Sequence, residues 1–235
     1  MRAQESYDRV AAAYARRFVG ELEHKPLDRQ LLQRFAREIN ATSERPACDL
    51  GCGPGHIARY LHDLTVPVVG VDISAGMIAE ASRLNPEIEF RQGDMMSLDL
   101  EDGSLSGVAA FYSILHVPRA EVTAALREIR RVLAPAGLLL LSFHIGSEVR
   151  HIEEFFDEPV HLDFVFFEVP EMEGYLRDAG FADIESIERD PYPDVEVQTR
   201  RAYIFARCQL PRAVSQGKRA GAAGSRTVLL PRSSG

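Results

Sequence analysis

The chain has little cysteine and no apolar run long enough to cross a membrane. Its 235 residues contain three cysteines, Cys48, Cys52 and Cys208, which form neither an even set nor a paired CxxC array. A disulfide framework and a structural zinc site are therefore not expected, and the thiols are interpreted as buried or reduced. No segment approaches the ~20 apolar residues of a membrane span, and the N-terminus lacks the basic-then-apolar order of a secretory signal. We expect a cytoplasmic protein with no membrane partner.

Basic residues are scarce in the body of the chain. The formal net charge of −8 divides into +5 over residues 209–235, which contain no acid, and −13 over residues 1–208. An acidic body does not attract phosphate backbones, so we expect no nucleic-acid partner. The segment 209–235 is rich in Gly, Ser, Ala and Pro without periodicity, and is predicted to be a disordered basic tail, with an arm that docks on anions as the alternative.

The distribution of apolar residues predicts one α/β domain over residues 1–208. A hydrophobic content of 46% is enough for one core. Strand-like segments alternate with segments of helical period, which is the pattern of a doubly wound sheet. Predicted strands are 47–50, 67–72, 88–94, 107–113, 137–144, 181–190 and 200–208. Predicted helices are 55–64, 74–84, 118–133 (ending near Gly137) and 171–180, preceded by an N-terminal helical cap in residues 1–40 with helices at 5–18 and 26–39.

The segment CDLGCGPGHIARYL joins the first strand to the following helix through a turn with glycines at alternate positions. Glycine tolerates positive φ and lets the backbone approach a ligand closely. Three acids, Asp49, Asp72 and Asp94, lie at the carboxyl ends of consecutive strands, where such sheets bind ligands. Carboxylates suit a cationic nucleoside with an ammonium group and ribose hydroxyls. That description fits S-adenosylmethionine.

A phosphate ligand fits this turn less well. Arg59 is the only Lys or Arg between residues 46 and 82. The glycines form GxGxG, whereas the dinucleotide fingerprint GxGxxG requires glycine at His56, and no Gly-Lys-Ser/Thr follows as in a P-loop. Because Asp72 lies about twenty residues after the turn, as in dinucleotide sites, a nicotinamide-dependent oxidoreductase stays open as an alternative.

Four stretches of the chain resemble the class I S-adenosylmethionine-dependent methyltransferases, in the small type 11 subset that includes enzymes of ubiquinone and menaquinone biosynthesis. They are DLGCGPG, VVGVDIS, QGDMMSLDLEDGSLSGVAAFYSILHV and LREIRRVLAPAGLLLLSF, in family order and spacing, within a resemblance that covers roughly residues 5–207. The resemblance implies a Rossmann-like seven-stranded sheet whose last strand is antiparallel, with S-adenosylmethionine as cofactor. APAG stands where the family usually has PGG, in a turn away from the ligand.

The same resemblance implies a set of cofactor-binding residues. Asp49 and Gly51 would contact the methionine moiety, and Asp72 the ribose hydroxyls. The implied residues around the rest of the cofactor are Ile73 and Met77 on the adenine face, Gly93, Asp94 and Met95 at the adenine edge, Cys52, Gly53 and Gly55 in the glycine turn, and Phe111, Tyr112 and Ser113 near the reactive methyl. YDRVAAAYA resembles the segment that covers the cofactor, which makes Tyr7 or Tyr14 a lid candidate, with ordinary packing as the alternative.

Two histidines follow strands at the edge of the sheet that faces the cofactor, so either can take a proton from an acceptor. They are His116 and His144, and for each the alternative is a hydrogen-bonded structural role. Residues 145–168 are predicted to add a strand, with Val160, Leu162, Phe164 and Phe166 on its apolar face and His161, Asp163, Val165 and Phe167 on the other. We interpret the segment as a lid over the acceptor, with a dimer interface and a metal site as alternatives.

These features together predict methyl transfer to an oxygen or nitrogen of a small, partly aromatic or apolar molecule, in secondary metabolism or quinone-like biosynthesis. Nucleic-acid methylation is disfavoured because strand four ends in FYSILHVP, without a Pro-Pro-Tyr or Pro-Pro-Phe sequence, and no Pro-Cys dipeptide offers a nucleophile. A catalytically silent protein of the same fold, which binds the cofactor or a protein partner, is the alternative. The oligomeric state is expected to be a monomer or a homodimer.

Overall fold

The computed structural model describes residues 3–209, and the predicted tail lies outside the described residues from residue 210 onward. Its strands are β1 Ala47–Leu50, β2 Val68–Asp72, β3 Glu89–Gln92, β4 Leu105–Phe111, β5 Leu133–His144, β6 Val149–Phe155, β7 Glu158–Val165, β8 Phe181–Arg189 and β9 Arg201–Cys208. Seven of them form one sheet in the order β3-β2-β1-β4-β5-β9-β8. β9 pairs antiparallel with β5 and β8, and the other neighbouring strands of that sheet pair parallel. The predicted doubly wound, mostly parallel sheet is confirmed.

The helices lie close to their predicted positions. They are α1 Ala3–Phe18, α2 Pro26–Asn40, α3 His56–Asp63, α4 Ala75–Leu84, α5 Val122–Val132 and α6 Val169–Ala179. Local signals account for several ends: the Ser74 side chain accepts a hydrogen bond from Met77 N at the start of α4, and Gly180 ends α6 with a φ of 89°.

The connection from α5 to β5 differs from the prediction. The region after Pro118 first forms a 3₁₀ turn, and α5 ends at Val132 rather than near Gly137. Leu133 already pairs with Leu105 of β4, with an irregularity in the register before the main ladder begins. Pairing with the neighbouring strand therefore ends the helix earlier than the helical period indicates.

The sheet is covered on both faces, which explains why β5 has no apolar alternation. Leu139 and Leu141 pack in the core cluster that contains residues of α5 and α6. Leu138 and Leu140 pack in the cluster that contains residues of α2 and α3. All four leucines are at most 2% exposed. The three cysteines are buried as free thiols, as expected, and within residues 3–209 no helix is both long and apolar enough to span a bilayer.

Residues 145–168 form a hairpin rather than one added strand. β6 and β7 pair antiparallel in a sheet of their own. Val160 and Leu162 of β7 are buried against Val10 of α1, as the predicted alternation requires. Val165 and Phe167 contradict that alternation, because both are buried in the cluster around β5 and α6. The hairpin therefore packs on α1 at one end and on the main core at the other.

A buried network of charges joins α2 to the antiparallel edge of the sheet. Asp28, 1% exposed, accepts hydrogen bonds from the Tyr203 hydroxyl at 2.9 Å and from Arg189 Nη2 at 3.2 Å. Arg189 also pairs with Glu196, whose other oxygen lies 3.1 Å from Arg201 Nε. Burial raises the pKa of Asp28, against the charges of Arg189 and Lys25 and the Tyr203 hydroxyl. The positive charge of the Arg189 guanidinium therefore compensates the negative charges of two buried carboxylates, Asp28 and Glu196.

Replacement of Arg189 by Met should lower the free energy of unfolding by about 3–5 kcal/mol, because it leaves buried carboxylates without their partner. The matched control is Arg200→Met, which removes an exposed pair with Glu188 and should cost less than about 1 kcal/mol. Urea unfolding followed by circular dichroism measures both. Equal losses in the two variants would show that the buried network stabilises no more than a surface ion pair does.

Candidate functional site

A cavity of about 300 Å³ lies at the carboxyl ends of β1, β2 and β4. The structure brings most of the sequence-predicted site residues together around it. These are Tyr14, Asp49, Gly51, Cys52, Gly53, Asp72, Ile73, Met77, Gly93, Asp94, Met95, Phe111, Tyr112, Ser113 and His116. Gly55 and His144 are not among the residues that line the cavity.

The glycine turn is shaped by close contact with the neighbouring strands. Gly51, with a φ of 71°, packs so tightly that a Cβ on it would lie 2.2 Å from Ser113 Cβ at the end of β4. The amides of Gly51 and Cys52 both donate to Val71 O of β2, at 2.7 and 3.0 Å. The turn is therefore attached to β2 and pressed against β4, and any side chain at position 51 would displace it.

Gly55 does not line the cavity, but it allows the glycine turn to pack closely on neighbouring side chains. Its φ is 81°, and a Cβ there would lie 2.7 Å from Phe90 Cζ and 3.0 Å from Asn85 Nδ2. It immediately precedes α3 and lets the chain enter that helix in a left-handed conformation. The glycine pattern thus mixes residues that face the cavity with one that permits close packing.

Asp72 ends β2 and accepts one backbone hydrogen bond on each carboxylate oxygen. Gly53 N donates to Oδ2 at 2.8 Å, and Ser74 N donates to Oδ1 at 2.9 Å. Burial raises the pKa of Asp72, and these two N–H groups act against that effect. Each oxygen keeps a lone pair for a further donor, such as a ribose hydroxyl.

Asp49 is 1% exposed and accepts a hydrogen bond from Ala58 N at 2.8 Å. Burial raises its pKa to about 7, against the nearby charge of His56 and the hydrogen bond from Ala58. Because the chain provides few hydrogen bonds or positive charges to compensate the burial of this carboxylate, its remaining oxygen attracts a cationic group.

The opposite wall of the cavity is apolar. Met77 is buried at 2% exposure, whereas Ile73 remains 39% exposed although it lines the cavity. Beside them Asp94 accepts a hydrogen bond from Met96 N at 2.9 Å, which shapes the turn after β3. This wall suits a flat aromatic ring with polar groups at its edge.

The roof of the cavity is α1. The Tyr14 ring lies over the glycine turn, with Cε1 3.7 Å from the point where a Cβ on Gly53 would be, and it packs on Phe18, Phe155 and Phe156. Burial is the main effect that raises the pKa of Tyr14, so its hydroxyl stays protonated. The segment YDRVAAAYA therefore covers the cavity, together with the tip of the hairpin.

His116 lines the cavity and both of its ring nitrogens are engaged. Nδ1 lies 2.9 Å from Asp163 O of β7, and Nε2 lies 2.8 Å from the Tyr7 hydroxyl. Because a carbonyl oxygen only accepts, Nδ1 carries the hydrogen in this arrangement and Nε2 accepts from Tyr7. Burial lowers the pKa of His116, although the Asp163 carbonyl favours the charged form. The neutral ring can therefore take up a proton at Nε2.

His144 lies away from the cavity wall. Its ring stacks on Phe166, its Nδ1 lies 2.7 Å from Thr199 Oγ1, and Tyr112 packs beside it. Burial and the charge of Arg201 lower the pKa of His144 to about 3. Of the two histidines that the sequence suggests as bases, the structure therefore places only His116 at the cavity.

The lining residues that the sequence did not predict include a pair of polar side chains in contact. Glu21 and His56 both border the cavity, and they contact each other at 2.9 Å. No local pattern links positions 35 residues apart, although His56 directly follows the last glycine of the turn. Within residues 3–209 no group of three or more His, Cys, Asp or Glu side chains is arranged to hold a metal ion.

The chemistry of the wall fits S-adenosylmethionine. Of the described residues that line the cavity, none is Lys or Arg and five are acids: Glu21, Asp49, Asp72, Asp94 and Glu121. The Ser113 hydroxyl, next to Gly51, is buried without a partner in the described part of the chain. A polyphosphate would meet repulsion here, whereas an ammonium, a sulfonium and ribose hydroxyls match the carboxylates.

Comparison with known proteins agrees with this assignment. Residues 47–137 match the family model described as a methyltransferase domain. Over 156 residues the chain is 30% identical to malonyl-[acyl-carrier protein] O-methyltransferase of Enterobacter lignolyticus, covering 65% of this chain and 61% of that protein. It is 36% identical over 107 residues to demethylmenaquinone methyltransferase of Beutenbergia cavernae, covering 44% of each. The chain thus spans less than two thirds of the length of these curated relatives.

Solved structures share the fold. A DhpI–SAH complex superposes with a TM-score of 0.67 at 23% identity, covering 88% of this chain and 95% of that chain. An S-adenosylmethionine-dependent methyltransferase of Methanosarcina mazei superposes with a TM-score of 0.65 at 19% identity, covering 73% and 96%. Residues 47–137 therefore match a methyltransferase domain, and the fold of the chain is the one found in solved S-adenosylmethionine-dependent methyltransferases.

Proposed function

We propose that the protein transfers a methyl group from S-adenosylmethionine to an oxygen or nitrogen of a small molecule. The observation that carries this proposal is the cavity wall of carboxylates without Lys or Arg, with Asp72 and Asp49 at the ends of adjacent strands. Asp72 would hold the ribose hydroxyls, Asp49 the ammonium group, and Ile73 and Met77 the adenine ring. Tyr14 would cover the cofactor from α1.

The cofactor supplies a methyl group that is already activated on a sulfonium. The chain must align the acceptor with that group, and alignment alone contributes ~7–11 kcal/mol to such reactions. Phe111, Tyr112 and Ser113 border the cavity where β4 ends. Tyr112 has a φ of 52°, and its ring is held by a hydroxyl contact of 3.1 Å with Tyr203. A ring fixed at both ends is suited to positioning an acceptor.

Tyr7 and His116 provide a route for a proton when the acceptor nucleophile carries one. As the acceptor bonds to the methyl carbon and the bond between that carbon and the sulfonium sulfur breaks, the acceptor proton would pass to Tyr7 Oη while the Tyr7 hydroxyl proton would pass to His116 Nε2. The positive charge then resides on the imidazole, whose Nδ1–H remains on the Asp163 carbonyl. The lowered pKa of His116 favours later release of that proton to solvent.

The acceptor would be enclosed by α1 and the hairpin. Their aromatic side chains meet above the cavity, where they exclude water and favour a flat or apolar molecule. The side chains concerned are Tyr7, Tyr14, Phe18, Phe155, Phe156 and Phe164. The relatives named demethylmenaquinone methyltransferase and malonyl-[acyl-carrier protein] O-methyltransferase support a small organic acceptor group. A cytoplasmic location and a monomeric or homodimeric state belong to the same proposal.

Replacement of Asp72 by Ala should weaken the binding of S-adenosylmethionine and S-adenosylhomocysteine about tenfold or more, because it removes charge-assisted hydrogen bonds of ~1.5–3 kcal/mol each. Calorimetric titration measures the affinities, with the exposed Asp99→Ala as the matched control. NAD is expected not to bind. Unchanged affinity in the Asp72 variant would contradict the assignment.

The affinity for S-adenosylmethionine should rise with pH between 6 and 7 and level off above about 8. Asp49 has its pKa raised to about 7, so binding of an ammonium group to its carboxylate releases a proton below and around that pH. Titration over pH 6 to 8.5 tests this expectation. In Asp49→Asn the affinity should be lower, and this pH dependence should be lost; its persistence would show that another group titrates.

Once an acceptor is identified, Tyr7→Phe and His116→Ala should each lower kcat by ~10²- to 10⁴-fold, while cofactor affinity stays near that of the unmodified protein. His144→Ala removes the histidine outside the cavity and should change kcat much less. Steady-state kinetics and titration separate the two effects. A loss confined to His144→Ala would reverse the assignment of the base, and full activity in all three variants would reduce catalysis to alignment alone.

A further inference from the structure

We infer that His56 and Glu21 form a subsite for the amino-acid end of the cofactor, in which His56 Nδ1 binds the α-carboxylate and Glu21 orients the ring. This inference rests on the proposed function, because it names which residues hold one part of the same ligand. It concerns two side chains that come from separate segments and meet at the edge of the cavity.

His56 is the first residue of α3 and borders the cavity. Its Nε2 lies 2.9 Å from Glu21 Oε1, and since a carboxylate only accepts, Nε2 carries a hydrogen. Its Nδ1 is buried and has no hydrogen-bond partner among residues 3–209. Buried ring nitrogens are normally paired, so an unpaired one beside a ligand cavity indicates a partner that the ligand supplies.

Glu21 is itself held in place. It lies in the 3₁₀ turn between α1 and α2, and its second oxygen pairs with Lys25 Nζ at 2.7 Å. Burial raises its pKa, but the hydrogen bonds and charges of His56 and Lys25 outweigh burial and lower the pKa to about 2. The carboxylate therefore stays charged, and its contact with Nε2 fixes the direction of the His56 ring.

The α-carboxylate of the cofactor has few other donors to meet at this end of the cavity. The backbone amides of Gly51, Cys52, Gly53 and Gly55 all donate within the protein, to Val71 O, Asp72 Oδ2 and Cys52 O. Among residues 3–209, no Lys or Arg lines the cavity. The second lining histidine, His116, has both nitrogens engaged on the opposite side.

The two charged groups at the amino-acid end of the cofactor, the ammonium and the α-carboxylate, would bind to different side chains. The free oxygen of Asp49 suits the ammonium group, because the chain offers that carboxylate little compensating charge. The charge of Asp49 also interacts with His56. His56 lies between Glu21 and Asp49, so an Nδ1–H group that donates to the α-carboxylate would have its charge balanced by the protein. The cofactor would then complete an alternating series of charges.

Two substitutions at one position test the subsite. His56→Gln places its amide near Nε2 and can still contact Glu21, but offers nothing at Nδ1; His56→Asn places its amide near Nδ1. We expect His56→Gln to weaken S-adenosylhomocysteine about tenfold or more, and His56→Asn to retain most of the affinity. His62→Ala, also on α3 but with its side chain 43% exposed, is the matched control and should bind normally.

Three ligands identify the partner of Nδ1. S-adenosylhomocysteine has both charged groups of the amino-acid end, decarboxylated S-adenosylhomocysteine has only the ammonium group, and 5′-methylthioadenosine has neither. Calorimetric titration should show a loss in His56→Gln for the first ligand alone. A loss that extends to the decarboxylated ligand would make the ammonium the partner and overturn the inference, as would equal losses for all three or no loss.

Failure of the proposed function has a different signature. If the unmodified protein binds none of the three ligands, the assignment of the cofactor is wrong, and His56 is not the cause. Glu21→Ala adds a check on the positioning role: it should weaken S-adenosylhomocysteine, and added to His56→Gln it should cause little further loss, because both act through the same ring. Additive losses would show that Glu21 contacts the ligand independently.

Discussion

The carboxylate of Asp72 is the group on which the geometry of the site depends. A half-buried charge at the end of a strand must be solvated by the protein, and two backbone amides do so, Gly53 N from the glycine turn and Ser74 N from the start of α4. Ser74 also caps α4 and donates to Asp8 of α1 at 2.6 Å. The carboxylate of Asp72 thereby positions the glycine turn and the start of α4. Through Ser74 it also positions α1, which forms the roof of the cavity.

The site keeps groups that are poorly satisfied by the chain alone. Burial raises the pKa of Asp49 and of Asp72, while Ser113 Oγ and His56 Nδ1 are buried without partners among the described residues. Each such group costs stability in the folded chain. A ligand that pairs with them recovers that free energy on binding, which favours a charged, hydroxyl-bearing molecule over an apolar one of the same shape. The surrounding core, with both faces of the sheet covered, supports this arrangement.

The roof connects the cofactor side of the cavity to the acceptor side. Asp8 ties α1 to the start of α4, and Ser6 Oγ accepts from His161 N of the hairpin at 3.0 Å. Tyr7, between these two residues, reaches His116, which is held by the hairpin carbonyl of Asp163. Movement of α1 to admit ligands would therefore break the Tyr7–His116 contact, and closure would restore it. Assembly of the proposed proton route would in this way be coupled to closure of the cavity.

The sequence by itself determined the order of strands and helices, the class of fold and the acids at the strand ends, because these follow from local periodicity and from the rule that parallel strands present their carboxyl ends at one edge. Tertiary structure alone decided where pairing with β4 ends α5, that residues 145–168 fold as a hairpin, that His116 rather than His144 meets the cavity, and that Gly55 serves packing. It also brought Tyr7 to His116, 109 residues away, and Glu21 to His56. Such pairs leave no periodic trace in a single sequence, since each depends on the angle at which two separate elements pack.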